Sequence, residues 1–304
     1  MREEIAARAK VNLFLDVLQR RPDGYHDIKS LLAPIDLHDR LSMEVTDGGI
    51  EVLADTTVRL PGLPGEFNMG PVEDNLVTRA AHLLREAAGC RQGVRIRLEK
   101  HIPIAAGLAG GSADAAATLL GLNRLWCAGL QQTDLLELAR RLGCDVPALV
   151  HGGVVCMSGR GDILEPADWR PGWRPWLLLV NPGFVVSTGD IYGRYRPCLT
   201  SNGENSRFDA LLDTVKNGDG GGLARGLFNA LQETVFEKYP LLRMLHVSLE
   251  EAGVKALLSG TGATIFGLVR DAEHGCKVAE VLCDRLDVPL WWRVVQVLED
   301  RTQW

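Results

Sequence analysis

The residues of this chain best suited to chemistry form a glycine-rich loop just before a predicted helix. The loop spans residues 103–113 and contains Gly107, Gly110 and Gly111, followed by Ser112. Glycine lacks a Cβ atom, so its backbone can close around an anion. The unpaired N–H groups of a first helical turn, together with the helix dipole, then favour a phosphate. Taken alone, the segment fits a phosphate-binding loop and a tight turn capped by Ser112 equally well.

The loop does not carry either of the two best-known nucleotide-binding signatures. No Lys-Ser or Lys-Thr pair follows its last glycine, which excludes a Walker A loop. Its glycines also do not have the GxGxxG spacing of dinucleotide-binding folds. A phosphate-binding role would therefore place the chain in another nucleotide-binding class.

Elements on both sides must position this loop. Apolar and charged residues alternate over residues 94–99, which predicts a half-buried strand before the loop. After it, Ala115, Leu119, Leu122 and Trp126 recur at helical spacing, which predicts a helix with one apolar face. Further helices are predicted over residues 75–88, 133–142 with Thr133 as N-cap, 241–252 and 274–286. Further strands are predicted over residues 11–18, 31–37, 41–45, 177–180, 256–258, 265–269 and 292–297.

Strands and helices mix without strict alternation, so the predicted fold class is α+β. A chain of 304 residues exceeds one typical compact core, and Pro and Trp cluster over residues 165–175. We therefore predict two domains, residues 1–165 and 166–304. Residues 55–73 are predicted to be a loop, and the glycine run 218–222 an exposed mobile tip.

Composition narrows the classes of partner and compartment. The formal charge of -6 disfavours a nucleic-acid partner, although an anionic metabolite needs only a local cluster of donors. The seven cysteines include no CxxC pair, which favours reduced thiols over a zinc site or disulfide framework. No signal peptide or membrane-spanning run is evident, so we expect a cytoplasmic protein that does not act at a membrane.

The loop and a second glycine-rich segment near the C-terminus together indicate a superfamily. Residues 103–117 closely resemble the phosphate loop of the GHMP kinases, the superfamily of galactokinase, homoserine kinase and mevalonate kinase. The glycine-rich turn at residues 259–263 is similar to the third motif of that superfamily. This resemblance implies an N-terminal ribosomal-protein-S5-domain-2-like domain and a C-terminal ferredoxin-like domain, with the active site in the cleft between them.

Three further segments point to one family. Residues 9–15 and 21–26 resemble the opening of the 4-diphosphocytidyl-2-C-methyl-D-erythritol kinases, and residues 142–147 resemble their Gly-Ala-Asp-Val-Pro signature. The resemblance implies ATP-dependent phosphorylation of the substrate 2-hydroxyl in the non-mevalonate route to isoprenoid precursors. It also implies Mg²⁺ as companion of ATP, with ligands that the sequence does not identify.

The resemblance assigns roles to individual residues. Asp145 is implied to be the catalytic base and Lys10 its partner. Without the resemblance, the local sequence favours a helix N-cap for Asp145 and a solvated lysine at a strand start for Lys10. The residues implied to contact the substrate are Asn12, Tyr25, His26, Thr188 and Tyr192. Those implied to contact the nucleotide are Asn75, Lys100, Pro103, Ile104, Ala105, Ala106, Gly107, Leu108, Ala109, Gly110, Gly111, Ser112 and Ala113.

Two other functions compete with this interpretation. One is another GHMP kinase, acting on homoserine, a mevalonate or a sugar, which would leave the Asp-Gly-Tyr-His segment at residues 23–26 without a reason. The other is a catalytically silent sensor of nucleotide or metabolite, which would need neither Lys10 nor Asp145. The sequence leaves the oligomeric state, monomer or homodimer, undecided.

Overall fold

The computed structural model describes residues 1–58, 60–61, 75–196 and 204–299, which fold around two β-sheets. Within these residues the larger sheet has seven strands, in the order β3-β4-β2-β1-β8, with β5 paired to β2 and β6 to β5. These strands are β1 (Arg2–Arg20), β2 (His26–Thr46), β3 (Ile50–Thr56), β4 (Gly93–Lys100), β5 (Val155–Ser158), β6 (Ile163–Pro166) and β8 (Phe228–Asn229).

The hairpin of β1 and β2 is long, and its pairing register shifts on either side of Lys10 and Asn12. The antiparallel register shifts between Arg8 and Lys10 and again between Asn12 and Phe14. Such bulges bend a strand and redirect its side chains. Lys10 and Asn12 lie between the two shifts and, being two residues apart, lie on the same face of β1.

The helix that follows the glycine-rich loop is the central helix of the larger sheet. This helix, α2 (Gly110–Leu125), packs against β1 and β2 and against the helices α1 (Leu76–Ala87), α3 (Gln132–Arg140) and α4 (Val146–His151). Small residues permit the close approach: a Cβ atom at Gly121 would lie 2.9 Å from the Met43 side chain. The loop is therefore followed directly by a helix that is packed on several sides.

The smaller sheet has four strands among the described residues, all antiparallel. They are β7 (Trp176–Asn181), β9 (Ala256–Leu258), β10 (Ile265–Val269) and β11 (Trp291–Gln296). Their order, β11-β7-β10-β9, is the ferredoxin-like order. The accompanying helices are α5 (Thr188–Arg194), α6 (Glu204–Asn217), α7 (Gly220–Gly226), α8 (Gln232–Lys238), α9 (Pro240–Glu251) and α10 (Ala272–Leu286).

The predicted α+β class is confirmed. The short strand β8 pairs in parallel with β1 through Phe14 and Leu15, so the two halves of the chain share backbone hydrogen bonds. The division at residues 165 and 166 stays a prediction. In the part of the chain that the structure describes, none of the helices combines the length and hydropathy of a membrane span.

Some predicted elements are wrong in detail. The strands predicted over residues 31–37 and 41–45 are parts of one strand, β2. Thr133 is not the N-cap of α3, because Gln131 holds that position and its backbone N–H donates to the Asp134 carboxylate at 2.8 Å. The predicted loop at residues 55–73 begins instead with the end of β3 and then lies mostly outside the described residues.

The glycine run 218–222 is not the mobile tip that its composition predicts. Gly220 begins α7, and the Asp219 carboxylate caps that helix by accepting a hydrogen bond from the Gly221 N–H at 3.0 Å. A Cβ atom at Gly222 would lie 2.7 Å from the Thr214 hydroxyl. The last glycine is thus required by close packing against α6.

Candidate active site

A cleft of about 830 Å³ opens between the two sheets. We call it the central cleft. The residues predicted from the sequence that line it are Lys10, Asn12, Tyr25, His26, Ala105, Ala106, Gly107, Ala109, Gly110, Gly111, Ser112, Asp145, Thr188 and Tyr192. The predicted residues that are not among its lining are Asn75, Lys100, Pro103, Ile104, Leu108 and Ala113. The structure therefore gathers into one cavity residues that are far apart in the chain.

The glycine-rich loop leaves the start of α2 open to the cleft. Ala105, Gly107 and Ala109 have φ angles of 52°, 78° and 57°, in the left-handed region. Ala109 occupies the N-cap position of α2, and no side chain caps the helix there. The interpretation of Ser112 as a cap is therefore wrong, since Ser112 lies inside the first turn. Uncapped N–H groups and the positive end of a helix dipole are features that favour binding of a phosphate.

The loop is held from the opposite side by the turn at residues 259–262. The Ser259 hydroxyl donates to the Gly107 carbonyl at 3.0 Å, and the Thr264 N–H donates to the Ala106 carbonyl at 3.1 Å. On the other flank, the Lys10 N–H donates to the Leu108 carbonyl at 3.2 Å. These bonds fix the loop conformation before any ligand binds.

Lys10 and Asp145 form an ion pair in the cleft, with 3.4 Å between Nζ and Oδ2. Lys10 is buried and also donates to Asn12 Oδ1 at 2.7 Å, while Asn12 Nδ2 donates to the Ser30 hydroxyl at 2.9 Å. Asp145 holds the N-cap position of α4, but its carboxylate accepts no capping bond, and about a third of its side chain is exposed. Its carboxylate is consequently available to a bound ligand.

Aromatic side chains gather at another part of the cleft. The rings of His26 and Tyr192 lie 5.4 Å apart at 37°. Tyr25 is half exposed, and the Arg160 guanidinium covers its ring at 4.1 Å. Burial, and then the nearby charge of Arg20, lowers the pKa of His26, so that its imidazole is neutral at pH 7.

Burial, followed by the Asp145 charge, raises the pKa of Tyr192, so its phenol stays protonated. A neutral imidazole and a protonated phenol offer directional hydrogen bonds and a ring face. Such groups suit an uncharged planar ligand.

Lys100 does not reach the cleft. Its ammonium group is buried and donates to the carboxylates of Asp39 and Asp114. A direct contact with a nucleotide, which the family resemblance implies, would have to compete with these two ion pairs. Asn75 is likewise engaged elsewhere, because its side chain caps α1 by accepting from the Val77 N–H at 2.9 Å.

The structure adds cleft residues that the sequence analysis did not assign. They include three arginines, Arg20, Arg160 and Arg196, together with Thr261, whose hydroxyl lies 3.1 Å from that of Thr188. The Ser-Gly-Arg-Gly run at residues 158–161, a turn signal carrying a charge, could have indicated Arg160. No local sequence signal indicated that Arg20 or Arg196 would line the cleft.

Comparison with known proteins identifies the family of the chain. Residues 75–153 match the family described as GHMP kinases N terminal domain, and residues 211–288 match GHMP kinases C terminal. A 4-diphosphocytidyl-2-C-methyl-D-erythritol kinase from Pelotomaculum thermopropionicum is 44% identical over 274 residues, covering 90% of this chain and 91% of the relative.

Two solved structures are also similar. A crystal structure of 4-(cytidine 5'-diphospho)-2C-methyl-D-erythritol kinase matches with a TM-score of 0.75 and 35% identity, covering 96% of this chain and 98% of that one. A homoserine kinase from Cytophaga hutchinsonii has a TM-score of 0.76 at 20% identity, covering 98% of this chain and 96% of that one, and shows the fold alone. This chain is an ATP-dependent small-molecule kinase and belongs to the 4-diphosphocytidyl-2-C-methyl-D-erythritol kinase family of the GHMP kinases.

Proposed function

We propose that this chain transfers the γ-phosphoryl group of ATP to the 2-hydroxyl of 4-diphosphocytidyl-2-C-methyl-D-erythritol, in the non-mevalonate route to isoprenoid precursors. The observation that carries the proposal is that one cleft joins an uncapped helix start, a lysine–carboxylate pair and a cluster of aromatic rings. These three features correspond to the phosphates, the acceptor hydroxyl and the base of the two substrates.

The glycine-rich loop would hold the triphosphate. Phosphoryl transfer passes through a loose transition state, so an enzyme contributes chiefly position and positive groups. The uncapped N–H groups at Gly110, Gly111 and Ser112 supply donors that need no rearrangement. Their rigidity follows from the bonds to the 259–262 turn.

Asp145 and Lys10 would act at the acceptor hydroxyl. As the substrate oxygen forms its bond to the γ-phosphorus, the bond from that phosphorus to the β,γ-bridging oxygen breaks and ADP leaves. The hydroxyl proton passes to the Asp145 carboxylate. The Lys10 ammonium, 3.4 Å from that carboxylate, stabilises the negative charge that develops nearby.

Magnesium would accompany ATP. Among the described residues there is no group of three or more His, Cys, Asp or Glu side chains that could hold a metal ion. Without such a group among the described residues, Mg²⁺ would be held mainly by phosphate oxygens of ATP and by water. Bound there, the ion would neutralise charge on the transferring phosphoryl group.

The aromatic cluster would receive the cytosine. A pyrimidine ring binds by stacking and by hydrogen bonds along its edge. Tyr25 and Tyr192 offer ring faces, and neutral His26 offers a hydrogen bond to the edge. The cationic groups of Arg20, Arg160 and Arg196 at the same cleft suit the substrate diphosphate.

Tyr25→Ala is expected to weaken binding of the cytidyl substrate by about 1–3 kcal/mol, the usual contribution of a base stack. Titration calorimetry with the substrate measures this, and ATP affinity serves as internal control because Tyr25 lies in the aromatic part of the cleft and is not part of the glycine-rich loop. Leu53→Ala, on the exposed part of β3, is a surface control expected to bind normally. Equal affinity of the Tyr25 variant and the unmodified protein would show that the ring only packs.

A panel of acceptors tests the proposed substrate against the other kinases of the superfamily. ADP release should be rapid with the cytidyl substrate and near background with homoserine, mevalonate or galactose, because none of these three fills the aromatic end of the cleft. Efficient turnover of homoserine would support the alternative function. Nucleotide binding without turnover of any acceptor would support the sensor.

A further inference from the structure

Beneath the glycine-rich loop lies a group of three charged side chains, Asp39, Lys100 and Asp114, that we call the buried triad. Their side chains are 0%, 4% and 5% exposed. Lys100 Nζ donates to Asp39 Oδ2 and, at 2.6 Å, to Asp114 Oδ2. The reaction described above uses none of the three directly.

The triad is attached to both ends of the loop. Asp39 Oδ1 accepts the backbone N–H groups of His101 and of Ile102, the latter at 2.8 Å, where the chain enters the loop. Asp114 lies in α2, just after the loop. A Cβ atom at Gly110 would stand 3.3 Å from Lys100 Nζ, so the ammonium lies directly against the helix start.

The buried triad contains two carboxyl groups but only one ammonium group. Two ionised carboxylates and one ammonium would leave a net negative charge in a buried site, which is costly. The same charge would repel the phosphates that the loop is proposed to bind. A single proton on one carboxyl group removes both penalties.

Hydrogen bonding indicates which carboxyl group carries that proton. Asp39 accepts two backbone N–H groups at Oδ1 and the Lys100 ammonium at Oδ2, so both of its oxygens are already engaged as acceptors. Asp114 accepts only from Lys100, and its Oδ1 has no hydrogen-bond partner among the described residues. Asp114 is therefore the better site for the proton.

We propose that Asp114 is a positioning residue that stays protonated, so that the buried triad is neutral and the loop above it can accept the phosphates of ATP. The second half of this inference rests on the proposed assignment of the loop to phosphate. Burial raises the pKa of Asp114 to about 8, and nearby Asp39 adds to the rise against the opposing charge of Lys100.

Among the described residues, the charged groups that act on Asp114 are Lys100 from β4 and Asp39 from β2. Buried residues of α1 and α4 are apolar apart from Thr78. Lys10 of β1 is engaged with Asp145 and Asn12 at the cleft, and the His101 ring faces Thr57 and Glu99.

Ionisation of Asp114 should affect both ATP binding and stability as the pH rises. Below a pH of about 8 the triad is neutral, and above it Asp114 ionises and places a negative charge under the loop. Because the raised pKa makes the native state hold a proton that the unfolded chain has lost, this carboxyl group also lowers stability progressively from pH 4 to pH 8. An asparagine at position 114 has the shape of the protonated acid but does not titrate. It therefore places no charge under the loop above pH 8 and causes no loss of stability between pH 4 and pH 8.

The test compares two amide variants, Asp114→Asn and Asp39→Asn, with the unmodified protein. The KM for ATP of the unmodified protein should rise by about threefold to tenfold between pH 7 and pH 9, and that of Asp114→Asn should stay flat. Asp39→Asn, which removes the same charge from the neighbouring carboxyl group, should weaken ATP binding throughout, because the loop entry loses its acceptor. Identical pH profiles for the unmodified protein and Asp114→Asn would overturn the proposal.

A second measurement does not depend on ATP. The difference infrared spectrum between the unmodified protein and Asp114→Asn should show the C=O band of a protonated carboxylic acid at pH 7, and that band should vanish as the pH passes 8. Its absence at pH 7 would overturn the protonation, even if the variant folded poorly, since the band can be followed in the unmodified protein alone. If the band is present and titrates but ATP binds elsewhere, the proposed function fails while the protonation of Asp114 stands.

Discussion

Asp145→Asn is expected to lower kcat by about 10²-fold or more, the effect of losing a positioned base. The amide keeps the size of the carboxylate but cannot take the proton of the attacking hydroxyl. KM values should change little, because the carboxylate accepts no capping bond from α4 and the helix does not depend on it. Steady-state ADP release measures both constants.

Lys10→Met removes the partner of Asp145 and should lower kcat as well. It also leaves the buried Asn12 Oδ1 without the Lys10 donor that lies 2.7 Å from it. An unsatisfied buried acceptor costs about 1–3 kcal/mol, so the melting temperature of this variant should fall.

The chain offers a matched control for these variants in a second lysine–carboxylate pair. Lys216 and Asp168 lie 2.9 Å apart, but both side chains are more than half exposed. Exposed ion pairs contribute little to stability, so Asp168→Asn should leave kcat and stability unchanged. If Asp145→Asn turned over normally, Asp145 would have no place in the mechanism.

The sequence was sufficient to place most of the cleft because its signals are local. The glycine spacing predicted the loop, and helical periodicity predicted the helix behind it. The family resemblance placed Lys10, Tyr25 and Asp145, and the structure brings all three to the central cleft. How these side chains act remains a prediction until the variants are measured.

What the sequence could not supply was set by tertiary contacts. Lys100 follows a strand and precedes the loop, so its position in the chain suits a nucleotide contact. Its two carboxylate partners come from β2 and α2, 61 and 14 residues away. The prediction of a mobile tip at residues 218–222 failed for a similar reason, since the packing of Gly222 against Thr214 cannot be read from composition.

Gly107→Ala is expected to raise the KM for ATP by about tenfold or more. Gly107 has a φ of +78°, and a Cβ atom there would lie 2.3 Å from the Ser259 carbonyl oxygen and 2.9 Å from that of Gly262. Both obstacles are backbone atoms, so the loop or the 259–262 turn must move. Backbone strain of this kind costs about 1–3 kcal/mol, and 1.4 kcal/mol corresponds to a factor of ten.

Gly172→Ala separates that displacement from the cost of the left-handed conformation itself. Gly172 has nearly the same φ, +77°, yet a Cβ atom there would meet nothing within 4 Å. Both variants should therefore lose about 1 kcal/mol of stability through strain, and only Gly107→Ala should lose affinity for ATP. Equal ATP affinity in the two variants would mean that contact between the loop and the 259–262 turn does not shape the nucleotide site. A selective loss would show that the two halves of the chain build that site together.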